Sequence, residues 1–279
     1  MYRTLVDVDA LAVMVDEGRV ALFDCRFHLN DPDAGRAAFE AGHIPEAEYL
    51  DLEHDLSAPA SVEGGRHPLP DREGFAARLR TFGVRSGDQV VVYDDVGGSL
   101  AARAWWMLRW IGHEAVALLD GGLAAWAASG RALESGLGMP RPEGDIMVGP
   151  ALVGTVDTAD IVAALGSDRL LVIDARTPAR FAGKSHPLDT AAGHIPGARN
   201  RFWGDNLIQN GRFKPAEALR AEFDAVLAGV SPANVALQCG SGVTACHDLL
   251  AMEIAGLNGA RLYPGSWSAW TGDPARPIA

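Results

Sequence analysis

Cys239 closes an apolar run, Val235-Ala236-Leu237-Gln238, and opens Gly240-Ser241-Gly242-Val243-Thr244, after which the pattern reads as a helix through Leu257. A strand, a tight glycine-bearing loop and a helix start, in that order, turn successive backbone N–H groups inward and add the positive end of a helix. Negative charge on a sulfur is stabilised in such a place, and the thiolate is the nucleophilic form of cysteine. Covalent sulfur chemistry is therefore predicted at Cys239, although a cysteine at the end of a core strand can also be a small buried residue and no more. Phosphoryl transfer on a cysteine would need an arginine after five intervening residues, to grip three oxygens with its fork. That position is Ala245, which argues against a phosphatase.

The remaining cysteines are Cys25, beside the apolar run Val20 to Asp24, and Cys246, seven residues after Cys239. Three cysteines without a CxxC pair or an even spacing support neither a disulfide framework nor a zinc site, and both extra thiols read as small core residues. With 24 Lys+Arg against 36 Asp+Glu the net charge is −12, which disfavours a nucleic-acid or anionic-membrane partner. The first twenty residues hold no signal-peptide core, and no segment approaches the roughly 18 apolar residues of a membrane span, so a cytoplasmic protein is expected.

The elements that must position the cysteine occur twice. Leu22-Phe23-Asp24-Cys25-Arg26 is echoed by Val172-Ile173-Asp174-Ala175-Arg176, and Gly42-His43-Ile44-Pro45 by Gly193-His194-Ile195-Pro196. Asp120 to Trp126 answers Pro264 to Trp270, so the offset shrinks from 150 or 151 early to 144 late. That is duplication of a whole domain. In each copy β-rich runs (Val90 to Tyr93, Ala115 to Leu119, Leu170 to Asp174, Val235 to Gln238) alternate with helical stretches (Leu100 to Ile111, Thr244 to Gly256), which predicts α/β domains with mainly parallel sheets. Ligands of such sheets bind beyond the carboxyl ends of the strands, where Cys239 falls. Ser135 to Pro150, rich in Gly and Pro, reads as linker; domains are expected at 1–140 and 156–279, joined by 141–155. The late offset makes Asp95 the first-half counterpart of Cys239, so only one copy carries the nucleophile.

The doubled domain, the two GHIP segments, the Asp-x-Arg after each first strand and the single CGSGVT loop resemble the tandem rhodanese-type sulfurtransferases, closest to the branch that uses 3-mercaptopyruvate. The resemblance implies two tandem rhodanese-like domains, each a mainly parallel sheet flanked by helices, with the catalytic cysteine in the second. It implies a persulfide on Cys239, passed to a thiol such as thioredoxin or glutathione, or to cyanide, with no metal or organic cofactor. Gly240, Gly242, Val243 and Thr244 are then donor-binding loop residues, and Arg180 matches the arginine that takes the donor's carboxylate with its planar fork.

The loop is electrically neutral at Gly240 and Ser241, which suits 3-mercaptopyruvate better than dianionic thiosulfate. The family's second arginine is replaced by Pro187, with Lys184 and His186 as nearby substitutes, and thiosulfate stays an alternative donor. His67 and Glu53 align with a histidine and an acidic residue proposed to join the loop serine, here Ser241, in a Ser-His-acid relay. Such a relay would protonate the departing enolate. His43, His194, Asp24 and Asp174 recur in both copies and read as structural; of the tryptophans, Trp203 and Trp267 are candidates for lining the cleft. A non-catalytic sulfur-binding scaffold is the contrasting class, disfavoured because a scaffold needs no thiol retained in one copy alone.

Overall fold

The computed structural model describes residues 1–138 and 141–279; Met139 and Pro140, where the first domain was expected to end, lie outside the described residues. The chain forms two compact units. Unit 1 comprises Met1–Ser57, Pro70–Leu152 and Gln209–Phe213, and unit 2 comprises Ala58–Leu69, Val153–Ile208 and Lys214–Ala279.

Unit 1 carries strands β1 (Leu5–Val6), β2 (Val20–Asp24), β3 (Ala47–Tyr49), β4 (Gln89–Tyr93) and β5 (Val116–Leu119). They form one sheet in the order β1-β5-β4-β2-β3, every pairing parallel. Its helices are α1 (Val8–Asp16), α2 (Pro32–Ala41), α3 (Arg72–Thr81), α4 (Ala101–Trp110) and α5 (Gly122–Ala128). Unit 2 repeats the plan with β6 (Gly154–Thr155), β7 (Leu171–Asp174), β8 (Arg199–Asn200), β9 (Val235–Gln238) and β10 (Arg261–Leu262), ordered β6-β10-β9-β7-β8 and again parallel. Its helices are α6 (Thr158–Ala164), α7 (Pro178–Phe181), α8 (Ala216–Leu227), α9 (Ala245–Ile254) and α10 (Ser266–Trp270). The central strands are buried along their whole length, β2 and β9 at every residue. That is why they read as continuous apolar runs instead of alternating ones, as parallel strands covered on both faces must. No helix among the described residues is long and apolar enough to cross a membrane.

The repeated motifs are one structural device used twice. In unit 1 Arg26 grips the buried Asp24 carboxylate and sends Nη2 to the carbonyl of Gly42, 2.7 Å away. In unit 2 Arg176 does the same with Asp174 and the carbonyl of Gly193, at 2.8 Å. The following histidine lies flat on a phenylalanine and engages that residue's carbonyl through Nδ1: His43 on Phe39, His194 on Phe181, each at 2.8 Å. A buried arginine needs both a charge partner and further acceptors, and the glycine carbonyl that opens GHIP supplies one. These residues are thus structural, as their presence in both copies suggested.

Two short segments change allegiance. Ala58–Leu69 lies in the first repeat by sequence but belongs to unit 2. Gly65, at φ +80°, pairs with Ser61 across an antiparallel bridge, and its missing side chain lets it lie against Ser268 Oγ and the Gly265 carbonyl. The Arg66 amide then donates to Ser268 Oγ at 3.1 Å. Conversely, Gln209–Phe213 belongs to unit 1, where the Phe213 amide donates to Asp120 Oδ1 at 2.9 Å.

Candidate active site

Cys239 follows β9 directly and precedes α9, so the strand and helix read from the sequence bracket it. The loop is pinned from outside. The Cys239 amide donates to Ser266 Oγ at 3.0 Å, the Cys239 carbonyl accepts from the Trp267 amide at 3.0 Å, and the Gly240 carbonyl accepts from the Ser268 amide at 3.0 Å. The Gly242 amide points back at Cys239 Sγ, 3.2 Å away. This is the inward curl that the two glycines predicted, but they serve it differently. Gly242 sits at φ +80° and would drive a Cβ to 2.3 Å from the Pro264 carbonyl oxygen. Gly240 has no positive φ; it is needed for space, because a Cβ there would meet Arg66 Nη2 and Arg180 Nη2 at 3.0 Å each.

The other loop residues fall as follows. Val243 is buried, and Thr244 occupies the position before α9 with helical backbone angles. Ala245 is fully buried. Cys246 is also buried, its thiol facing the Gly242 carbonyl at 3.5 Å, and so is Cys25, whose thiol burial pushes well above its ordinary range.

Ser241 Oγ meets His67 Nδ1 at 2.7 Å, both residues buried and both in unit 2. Glu53 is exposed in unit 1, its amide donating to Asp51 Oδ1 at 2.8 Å.

Arg180 lies on α7, where Thr177 caps the helix start. Its Nε and Nη2 form a fork on the Asp189 carboxylate at 2.8 and 2.5 Å. Burial raises the Asp189 carboxyl, but the Arg180 hydrogen bonds and charge outweigh this and hold it below the ordinary carboxylate range. The arginine expected to bind substrate therefore meets a carboxylate of its own chain. Lys184 is exposed, and His186 Nδ1 accepts from the Leu188 amide at 3.2 Å. Arg66, one residue before His67, comes as close to Gly240 of the cysteine loop as Arg180 does.

Trp267 is fully buried over the Arg176 guanidinium, 4.6 Å from its ring centre, and donates from Nε1 to the Ala191 carbonyl. It is a core residue and not a cleft lining. Trp203 packs edge-on against the His247 ring, 5.3 Å between centres.

The first-half counterpart of Cys239 also needs correction. β2 pairs Asp24 with Tyr93, and β7 pairs Asp174 with Gln238, so the residue after Tyr93 matches Cys239. The Leu123 amide donates to the Asp94 carbonyl just as the Trp267 amide donates to that of Cys239. The counterpart is therefore Asp94 and not Asp95. Its buried carboxylate accepts from the amides of Val96, Gly98, Leu100 and Ala101 at 2.7 to 2.9 Å. The loop that curls around a sulfur in unit 2 is closed on its own side chain in unit 1.

The rhodanese-like domain model matches this chain twice, at residues 7–129 and 157–273, and the chain belongs to the rhodanese-like family. It is 48% identical to a probable 3-mercaptopyruvate sulfurtransferase of Pseudomonas aeruginosa over 99% of this chain and 97% of that one. SseB of Mycobacterium tuberculosis, named for thiosulfate sulfurtransfer, is 38% identical over 99% of this chain and 96% of that one. Among solved structures it resembles SseA of Escherichia coli, a 3-mercaptopyruvate enzyme, with TM-score 0.81 and 35% identity, covering 96% of this chain and 100% of that chain.

Proposed function

We propose that this chain, an enzyme of the sulfurtransferase class, takes sulfur from 3-mercaptopyruvate through a persulfide on Cys239. In the first half-reaction the Cys239 thiolate attacks the donor sulfur; the Sγ–S bond forms and the C–S bond breaks, its electron pair leaving with the three-carbon fragment as an enolate. That enolate takes a proton from the Ser241 hydroxyl, which His67 replenishes, with Glu53 orienting the histidine. In the second, an acceptor thiol, thioredoxin or glutathione, attacks the outer sulfur and returns Cys239 to its thiolate. Arg180, Gly240, Gly242, Val243 and Thr244 form the donor site, and the loop amides with the α9 N-terminus offset charge on the persulfide. Action in the cytoplasm belongs to the same reading, supported by three buried cysteines that are all free thiols.

The observation that carries this reading is the Ser241–His67 contact beside the cysteine. Sulfur removal from thiosulfate leaves sulfite, which needs no carbon protonated, whereas an enolate does; a buried hydroxyl–imidazole pair therefore favours the keto-acid donor. The name of the Mycobacterium tuberculosis relative supports thiosulfate as a second reading. Steady-state turnover with each donor decides: kcat/KM higher for 3-mercaptopyruvate supports the assignment, and a clear thiosulfate preference overturns it. Mass spectrometry after donor treatment should show one added sulfur on Cys239, removed by acceptor; a chain that never gains it would be a scaffold.

A further inference from the structure

Among the described residues, three that are not glycine hold a positive φ: Glu46, Ala228 and Ser266. Glu46 and Ala228 are exposed, whereas Ser266, at φ +51°, is fully buried. A left-handed backbone is unfavourable for a residue with a Cβ and persists only where the surroundings impose it, which is most often at a functional site. The duplicated domain supplies an internal control. The Trp267 amide donates to the Cys239 carbonyl as the Leu123 amide donates to that of Asp94, so Ser266 matches Gly122. Gly122 makes the same left-handed turn, at φ +56°, without strain, and a Cβ on it would fall 2.3 Å from the Asp94 carbonyl oxygen. The unit that carries the nucleophile therefore keeps a side chain where its twin uses glycine.

That side chain is engaged at both ends. Ser266 Oγ accepts from the Cys239 amide at 3.0 Å and donates to the Tyr263 carbonyl at 2.9 Å. Tyr263 is itself tied to β9, its amide donating to the Leu237 carbonyl at 2.8 Å. With the Trp267 and Ser268 amides on the Cys239 and Gly240 carbonyls, three consecutive residues of α10 hold three backbone groups of the cysteine loop. We infer that Ser266 is a positioning residue for the nucleophile: its hydroxyl, set by the left-handed turn, fixes the Cys239 amide and with it the direction in which the cysteine side chain leaves the backbone. The inference rests on the persulfide reading of Cys239 and adds to it a residue that acts through the cysteine's own backbone. Without the hydroxyl the buried Cys239 N–H loses its acceptor, and the loop must shift to find another. Sγ then leaves the place where the Gly242 amide meets it at 3.2 Å.

The test uses the full chain. Wild-type Cys239 is first loaded from inorganic polysulfide and the added sulfur read by mass spectrometry; a chain that gains none refutes the persulfide reading and this inference with it, whereas the comparisons that follow bear on Ser266 alone. Ser266→Gly keeps the left-handed turn, relieves its strain and deletes the hydroxyl; Ser266→Ala keeps the Cβ and deletes the hydroxyl. Both should lower the rate of Cys239 loading from polysulfide, and kcat for 3-mercaptopyruvate, about 10- to 100-fold, with KM within about twofold of wild type. In urea titrations Ser266→Gly should stay near wild-type stability, because relief of the strained φ offsets the lost hydrogen bonds, so activity and stability part company. Wild-type rates in Ser266→Gly would overturn the inference, since glycine would then serve here as it does in unit 1. A loss confined to KM would overturn it too, by making Ser266 a donor contact. So would losses of rate that track losses of stability across both variants, which would make it a support of the fold.

Discussion

Ser241 Oγ lies 2.7 Å from His67 Nδ1, although 174 positions of sequence separate them. A hydroxyl beside the nucleophile gains a use from this contact, since an imidazole within hydrogen-bond reach can restore the proton it gives away. Ser241→Ala and His67→Ala should each lower 3-mercaptopyruvate kcat by about 100- to 10,000-fold. Acting as a unit, the double substitution should lose little more than either single one. Removal of preloaded sulfur by cyanide, followed in single turnovers, should persist in all three, because no carbon is protonated in that step. An unchanged kcat in His67→Ala would remove the relay.

The two loop glycines should fail in different ways. Gly242→Ala places a side chain at φ +80° with a Cβ 2.3 Å from a backbone oxygen, so the strand-to-helix connection must distort. A loss of stability of about 1–3 kcal/mol is expected in denaturant titration. Gly240→Ala meets the ends of two long arginine side chains instead, with no strained φ. Its stability should remain near wild type while KM for 3-mercaptopyruvate rises about 10- to 100-fold. A reversed pattern would contradict the roles assigned to these glycines.

The sheets were legible because strands buried on both faces announce themselves as unbroken apolar runs: Val90 to Tyr93 and Val235 to Gln238 each fall inside an observed strand. The cysteine loop was legible because glycine, cysteine and a following helix act within a few residues of each other. Arg66 was not, because nothing local separates it from a solvated arginine; its meaning comes from Gly240, which lies far along the chain. The Asp189 carboxylate on Arg180 escaped for the same reason. Asp95 was one residue off because insertions between the copies are absorbed in loops, so a single offset cannot serve every element. Strand register fixes the match locally, and it selects Asp94.

Asp94 answers four backbone amides at once, so its removal should be felt as structure and not as chemistry. Burial raises its carboxyl, while those amides pull the other way. Asp94→Ala leaves buried donors unanswered and should destabilise unit 1 by about 3 kcal/mol or more. Differential scanning calorimetry would register this as a lowered first transition or a lowered single one. Cys239 should still accept sulfur from polysulfide at temperatures where the variant is folded. A variant as stable as wild type would show that the loop finds other acceptors, and the filled-cradle account would fall.

Asp248, in α9 behind the cysteine loop, is fully buried, and burial is the largest influence on it, raising its carboxyl to about 7 against the opposing pulls of Asn206 and Arg201. Asn206 Nδ2 donates to its Oδ1 at 2.6 Å and approaches His247 Nδ1 at 3.1 Å, while Asp248 Oδ2 and Asn206 Oδ1 lack partners among the described residues. A protonated Asp248 supplies a donor among these acceptors; an ionised one adds a buried charge. In the unfolded chain the same carboxyl ionises near 4, as free aspartate does (about 3.9). Between those two values the folded state binds the extra proton, so stability falls as pH rises through the window and levels off above about 7. From pH 5 to pH 7 this single group should cost about 2 kcal/mol. Asp248→Asn keeps the size and an acceptor for Asn206 but cannot ionise. Urea titrations at pH 5, 6 and 7 should therefore show the variant gaining on wild type as pH rises, and parallel pH dependences in the two proteins would show that Asp248 does not titrate in this range.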